Sequence, residues 1–396
     1  MKKFQKVFDR WEKWIHNEHE IQTKEFVMKK IVVVFAILVF FAGCVFASGA
    51  SEAQKAAPAE KEMTHDELVA AAQAEGSLTV YTFTSRGSKV GEAFEAKYGI
   101  KTEVTQLSDS EMITKVTAEA KAGQGADIIF AQDSGRVLTE LFDTGYVTKY
   151  VPAAVAAAIP AQYSDPLVYD LNIKAFIFNN EKGDTNVTNV WQLTEPQWKG
   201  KIQYKDPQKE SVGMNFFVML TSDEWAAKLA QAYKDLYGKD IELTTPNAGY
   251  EFIKMLLANS VLGTSDSKVC EAVGAKGQEN QLYGLFTINK LRNAAEKDLA
   301  LSVDYDMVPF NGFMYPIYTA LTSVCAHPNA AKLFMEFAYT EEGWAPMDTL
   351  GDNSPILGSS EDTLTIADWE KTLVIEDPDY LAAHRYEVEQ FIVSIL

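Results

Sequence analysis

Leu78-Thr79-Val80-Tyr81-Thr82-Phe83 is a β-branched and aromatic run that breaks into the polar turn Thr84-Ser85-Arg86-Gly87-Ser88. A helical period follows, with Val90, Phe94 and Tyr98 four residues apart and Gly99 as its stop. A strand handing over to an amphipathic helix through a short polar turn is one βα unit, and the glycine supplies the left-handed backbone that ends the helix. The same grammar recurs on both sides. Upstream, Thr64-His65-Asp66-Glu67 sets a capping threonine three residues before a reciprocal glutamate and opens a helix. Downstream, Thr102-Glu103-Val104-Thr105 reads as a strand, and Asp109 to Gly123 as a helix with Met112, Ile113, Val116 and Ala120 on one face. Ala126 to Ala131 reads as a buried strand, with Asp133-Ser134-Gly135 capping the next helix. Alternating units of this length predict an α/β fold on a mainly parallel sheet with helices on both faces. Ligands of such sheets sit beyond the C-terminal ends of the strands.

The second half repeats the style. Ala175 to Asn179 reads as a strand, Trp191 to Trp198 as a short helix and turn, and Gly200-Lys201-Ile202 leads to the turn Asp206-Pro207. Helical periods cover Val212 to Leu220 and Trp225 to Leu236, and Pro328-Asn329 opens another that runs to Phe337. Asn311 to Pro316 reads as a strand returning to the first lobe, and Leu364 to Leu373 and Tyr380 to Leu396 as helices packed on it.

Composition bounds the function. A chain of 396 residues, 47% hydrophobic and 23% charged, has material for two lobes with full cores. Its net charge of −19 would repel nucleic acid over most of the surface. Three cysteines without a CxxC pair neither build a disulfide scaffold nor hold zinc. Cys270 and Cys325 are read equally as a disulfide or as isolated buried thiols. His327 and His384 have no neighbouring ligand at metal spacing and read as structural. There is no GxSxG elbow, HExxH helix, phosphate loop or GxGxxG turn, so the expectation is a protein that is not an enzyme.

Ile31 to Ala47 is an uncharged apolar run preceded by Met28-Lys29-Lys30 and followed by small polar residues. A basic start, an apolar centre and a small-residue exit are the marks of a secretory signal, and at the short end of spanning length the run is less well suited to a membrane anchor. Phe41-Ala42-Gly43-Cys44 resembles a lipobox in which Cys44 becomes the lipidated first residue, with phenylalanine where leucine is usual. Ordinary cleavage near Val45-Phe46-Ala47 is the alternative. The expected organisation is an N-terminal extension over 1–27 that arises from a mis-assigned start, a signal peptide over 28–43 and a flexible tether over 44–64. Lobe one then covers 65–172, lobe two 173–305, and a hinge return with C-terminal helices 306–396.

The order Leu78-Thr79-Val80-Tyr81, Phe94 to Ile100, Ala126-Asp127-Ile128-Ile129, Trp198 to Ile202, Asp206-Pro207, and His327 to Phe337 with Glu342-Gly343 resembles the iron(III)-type group of bacterial ABC-transporter solute-binding proteins. The resemblance implies the two-lobed periplasmic-binding-protein fold of type II, joined by a two-strand hinge. It also implies solute capture by hinge closure and delivery to a membrane permease with its ATPase. The expected partners are therefore a small-molecule ligand, that permease, and the membrane through a lipid anchor, with no cofactor and no nucleic acid. The expected state is a monomer, on the periplasmic or outer side of the inner membrane. A secreted hydrolase or a lipoprotein sensor on the same fold are the competing readings.

Candidate site residues lie at turns that present free backbone N–H groups to an anion: Thr84, Ser85 and Arg86, then Gln132, Asp133 and Ser134, and in lobe two Ser211. The competing reading is that the serines only cap their helices. Family members that hold ferric ion resemble one another in using adjacent tyrosines. This chain has no Tyr-Tyr pair, and the corresponding segment Gly284 to Arg292 carries Asn289, Lys290 and Arg292 instead. Cations in place of phenolates favour an anionic organic solute, such as a sugar phosphate, phosphonate or carboxylate, over direct iron binding. A third reading has Phe83, Tyr163, Tyr169, Phe313, Tyr315 and Tyr318 walling a cleft for an amine or a sugar ring.

Overall fold

The computed structural model describes residues 63–396; the extension, the apolar run, Cys44 and nearly all of the tether lie outside the described residues. The capping box at Thr64 forms, with Glu67 N–H donating to Thr64 Oγ1 at 3.3 Å and Thr64 N–H to Glu67 Oε2 at 2.8 Å, and starts α1 (His65–Glu75). The quoted βα unit follows as β1 (Ser77–Thr82) and α2 (Gly87–Tyr98), ended by Gly99 at φ +70°. Next come β2 (Lys101–Gln106), α3 (Asp109–Ala122), which has its own capping box from Ser108 and Glu111, and the fully buried β3 (Ile128–Ala131). β1 is parallel to both β2 and β3.

Two long strands join this lobe to the next. β4 (Val168–Phe178) and, much later, β8 (Gly312–Thr322) are 11 residues each and antiparallel to one another. The C-terminal half of β8 pairs with β3, while the C-terminal half of β4 pairs with β7 (Tyr283–Thr287). Lobe two contains β5 (Ile202–Lys205), α4 (Ser211–Leu220), α5 (Asp223–Tyr237), α6 (Ala248–Asn259), β6 (Ser260–Gly263) and α7 (Asp266–Gly274). Its strands β5, β6 and β7 are parallel, giving the sheet order β2-β1-β3-β8-β4-β7-β5-β6. The parallel sheets expected of each lobe are thus present, joined by an antiparallel pair that belongs to both. The boundary expected between residues 172 and 173 falls inside β4. Gly312 is fixed by that pairing: a Cβ there would stand 2.1 Å from the Lys174 carbonyl oxygen.

After α8 (Pro328–Ala338) the chain departs from the expected helical tail. Within 364–373 only Ile366–Trp369 is helical; β9 (Leu373–Ile375) then pairs in parallel with the start of β8, and α9 (Pro378–Ile395) closes the chain. α9 packs on α4 of lobe two as well as on the Ser134–Arg136 turn of lobe one. Asp133 also differs from expectation. Its backbone is left-handed at φ +71° and its side chain caps nothing; a single helical turn passes into a π-helical turn at Val137–Phe142. α6 and α7 have no counterpart in the sequence reading. His327 and His384 have structural contacts, as expected: His327 Nδ1 lies 3.0 Å from Asp127 Oδ2, and His384 stacks on Tyr380 at 4.1 Å. Cys270 and Cys325 are free thiols.

Candidate functional site

Between the lobes lies a cavity of about 250 Å³ whose floor is Asn172 of β4 and Tyr315 of β8. One wall is the turn after β1 (Phe83 to Arg86) with Gln106 and Gln132. The other wall is Lys205 and Glu210 around the start of α4, Ser265 to Ser267 at the start of α7, and Thr287, Asn289 and Lys290 after β7. Every wall element is therefore the C-terminal end of a parallel strand or the helix start that follows it, the position that α/β sheets reserve for ligands. Six of the predicted residues meet here: Thr84, Ser85, Arg86, Gln132, Asn289 and Lys290.

Asp133, Ser134 and Ser211 do not line it. Asp133 and Ser134 are fully buried against the C-terminal segment, where Ser134 Oγ donates to Glu376 at 2.5 Å. Ser211 faces a second, wider cavity of about 690 Å³, shared with Arg136, Lys209, Arg385 and Tyr386. Glu210 stands in the walls of both cavities. Of the aromatic residues, only Phe83 and Tyr315 reach the smaller cavity; Tyr169, Phe313 and Tyr318 are core, and Tyr163 hydrogen-bonds Glu370 at 2.9 Å.

The charges of the cavity are largely paired. Arg86 directs one nitrogen, Nη1, at Met347 O (2.8 Å), Thr349 Oγ1 (2.9 Å) and Asp352 Oδ2 (2.6 Å). Burial opposes its charge, yet Asp352, helped by Asp170, holds the guanidinium above its ordinary range. Asp352 also accepts from Asn172 (2.5 Å) and Asn289 (3.0 Å), and it was not foreseen from sequence. On the other wall Lys174, buried in β4, bonds Glu210 and lies 3.1 Å from Asp266, while Lys205 lies 3.2 Å from Glu210. Burial would raise the Asp266 carboxyl, but Lys174 and then Lys205 hold it below the usual range.

Lys290 is different. Among the described residues no carboxylate lies within ion-pair distance of it and no hydrogen bond engages its amine, although it lines the cavity. Burial, followed by repulsion from Arg292, pushes its pKa down. Such a group gains most from an incoming anion. Tyr315 donates to Asn172 Oδ1 at 3.2 Å, and burial together with Asp266 and Glu210 pushes its phenol well above the ordinary range. No group of three or more His, Cys, Asp or Glu that could hold a metal ion occurs among the described residues.

Residues 88–347 match the sequence family described as bacterial extracellular solute-binding protein. An uncharacterized Haemophilus influenzae protein is 25% identical over 339 residues, which cover 81% of this chain and 87% of that one. A thiamine-binding periplasmic protein of Salmonella typhimurium is 25% identical over 184 residues, 44% of this chain and 55% of that protein. Among solved structures, iron-bound HitA from Pseudomonas aeruginosa superposes with a TM-score of 0.63 at 17% identity, covering 81% of this chain and 99% of that one. AfuA from Actinobacillus pleuropneumoniae with fructose-6-phosphate bound superposes with 0.60 at 18% identity, covering 81% and 98%. At these identities the structures bear on the fold alone.

Proposed function

The chain belongs to the bacterial extracellular solute-binding protein family, and on that premise we propose that its interlobe cavity captures a small anionic solute by closure of the two lobes about β4 and β8. As the solute-binding component of an ABC importer it works on the periplasmic side and hands its ligand to a permease. The observation that carries the anionic reading is Lys290, a cavity cation that, among the described residues, makes no ion pair and feels Asp266 and Asp352 only at longer range. Hydroxyls from both walls, Ser85, Ser267 and Thr287, and the start of α7 supply neutral donors around it. Closure brings these groups onto one ligand, so binding energy falls on the closed arrangement and shifts the equilibrium toward it.

Relatives and fold neighbours are named for thiamine, for iron and for fructose-6-phosphate, so the choice among them rests on this cavity. A cationic solute such as thiamine would meet Lys290, whose charge no ion pair among the described residues neutralises. A ferric ion would meet one tyrosine and, among the described residues, no cluster of three or more His, Cys, Asp or Glu able to hold it. The reading extends to a monomer tethered through lipidated Cys44, supported by Phe41-Ala42-Gly43-Cys44 at the end of the apolar run. Thermal-shift titration of the purified protein with gluconate, fructose-6-phosphate, thiamine, ferric citrate and iron-free citrate tests the ligand class. A ligand at ~100 times its Kd adds about 2.7 kcal/mol of stability, so an anion should raise the melting temperature measurably. Stabilisation by thiamine or by iron alone would overturn the reading.

A further inference from the structure

We propose that the C-terminal segment, residues 348–396, is a solute-independent clamp that joins lobe one to lobe two through buried polar contacts and so sets how readily the cleft opens. The segment begins where the match to the solute-binding family ends. It touches both lobes at two places.

The first is Asp352. Its carboxylate is fully buried and accepts simultaneously from Arg86 of lobe one, Asn289 of lobe two and Asn172 of the connecting strand. The second is built on Glu376 and Arg385. Glu376, just past β9, accepts from Ser134 of lobe one at 2.5 Å and from Asn215 of lobe two at 3.0 Å. Arg385, on α9, donates to Asp133 of lobe one at 2.7 Å and to Asn215 at 2.9 Å. α9 is itself fastened to lobe two: Phe391 packs edge-on to Tyr250 at 4.9 Å, and the Tyr380 and Thr221 hydroxyls lie 3.1 Å apart. On the lobe-one side its backbone comes so near that a Cβ on Gly135 would stand 3.0 Å from Leu381 Cβ. If α9 travels with lobe two, the bonds to Asp133 and Ser134 are the ones that break as the lobes part.

This second node holds more acid than it neutralises. Arg385 pairs with Asp133 at 2.7 Å and with Glu389 at 2.7 Å and acts on Glu376 only at longer range, while Arg136 reaches only to 4.0 Å from Asp133. Asp133 Oδ2 is buried without a hydrogen-bond partner. The remaining groups around Glu376 add no cation: Asn215 from α4, Tyr318 from β8 and Asp377 at the start of α9. Burial, reinforced by Asp133, pushes Glu376 up to about 7. Below that pH the node is balanced by the Asp133–Arg385 pair; above it, a second negative charge appears beside Asp133 and loosens the clamp.

The inference takes from the proposed function only what the two lobes are for, and its test needs no solute. The full chain, stripped of small molecules, is followed by small-angle scattering and by hydrogen exchange of the 133–137 amides. Asn215→Ala removes the lobe-two partner without stranding a charge. It should speed exchange at these amides by about tenfold or more, as expected for loss of hydrogen bonds to charged groups, and should enlarge the radius of gyration. Glu376→Gln keeps the bonding shape and removes the ionisation. The unaltered protein should expand between pH 6 and 8 and this variant markedly less, the remaining response coming from Asp109, which burial and then Asp133 also push up to about 7; the comparison stands even if Asn215→Ala fails to fold. Unchanged exchange and dimensions in a folded Asn215→Ala protein, or dimensions of the unaltered protein that do not respond to pH, would overturn the clamp.

Discussion

Replacing Lys174 by methionine probes how the cavity wall is held. Lys174 is 2% exposed and serves two acids at once, bonding Glu210 and lying 3.1 Å from Asp266. Methionine fills similar volume but leaves both carboxylates to Lys205, which lies 3.2 Å from Glu210 and 3.9 Å from Asp266. Removing one partner of a buried ion pair costs about 3–5 kcal/mol, and because Lys205 stays, the loss at neutral pH should fall near the lower end, about 3 kcal/mol. The pH dependence fixes the cause. Lys174 holds the Asp266 carboxyl below its ordinary range against burial, so its contribution is present above the unfolded carboxyl pKa and is lost as pH falls through the folded one. In the variant burial acts with less opposition, the carboxyl takes up a proton at a higher pH, and the stability deficit should narrow on acidification. Urea unfolding followed by far-UV circular dichroism at pH 7.5 and pH 5 measures both quantities. A deficit below about 1 kcal/mol at pH 7.5, or one that widens toward pH 5, would refute the reasoning.

Lys290→Gln should leave stability within about 0.5 kcal/mol, since among the described residues no ion pair is lost, while solute affinity measured by calorimetry should drop about tenfold or more. Glu376→Gln should flatten the stability profile. With its folded pKa raised from 4.5 to about 7, Glu376 favours the fold while protonated, and that advantage, on the order of 3 kcal/mol, disappears as pH climbs from about 4.5 to 7 in denaturation curves of the unaltered protein. Gly312→Ala sets a methyl 2.1 Å from the Lys174 carbonyl oxygen and 2.7 Å from Ala175 Cα. It should part the two long strands and lower stability by at least about 1–3 kcal/mol in the same assay.

Local chemistry made the βα units legible. Thr64 with Glu67, the strand from Leu78, and Gly99 past the last helical residue carry their conformational reasons within a few residues. Arg86 stood out because a cation in a turn is not explained by capping, and Lys290 because it stands where the ferric-binding proteins that the chain resembles carry tyrosines; both line the cavity. What was not readable depends on which distant segments the sheet brings together. Asp352 is 266 positions from Arg86, and no local pattern marks it as that arginine's partner. A signal did exist in β4: Asp170, Asn172 and Lys174 occupy alternate positions of a wholly buried strand and so share one face. A strand that spends three buried positions on polar groups is facing a site. Asp133 and Ser134 read as an anion-binding cap, but Asp133 has a left-handed backbone and caps nothing, and the pair is bonded to the C-terminal segment at Arg385 and Glu376.

The most direct test of the central claim is native mass spectrometry of the protein purified without refolding, beside its Lys290→Gln variant. The account predicts a retained small molecule, anionic when released and identified, that is lost or strongly depleted in the variant while the fold is kept. A retained cation or bare iron, or an anion held equally well by both proteins, would contradict it.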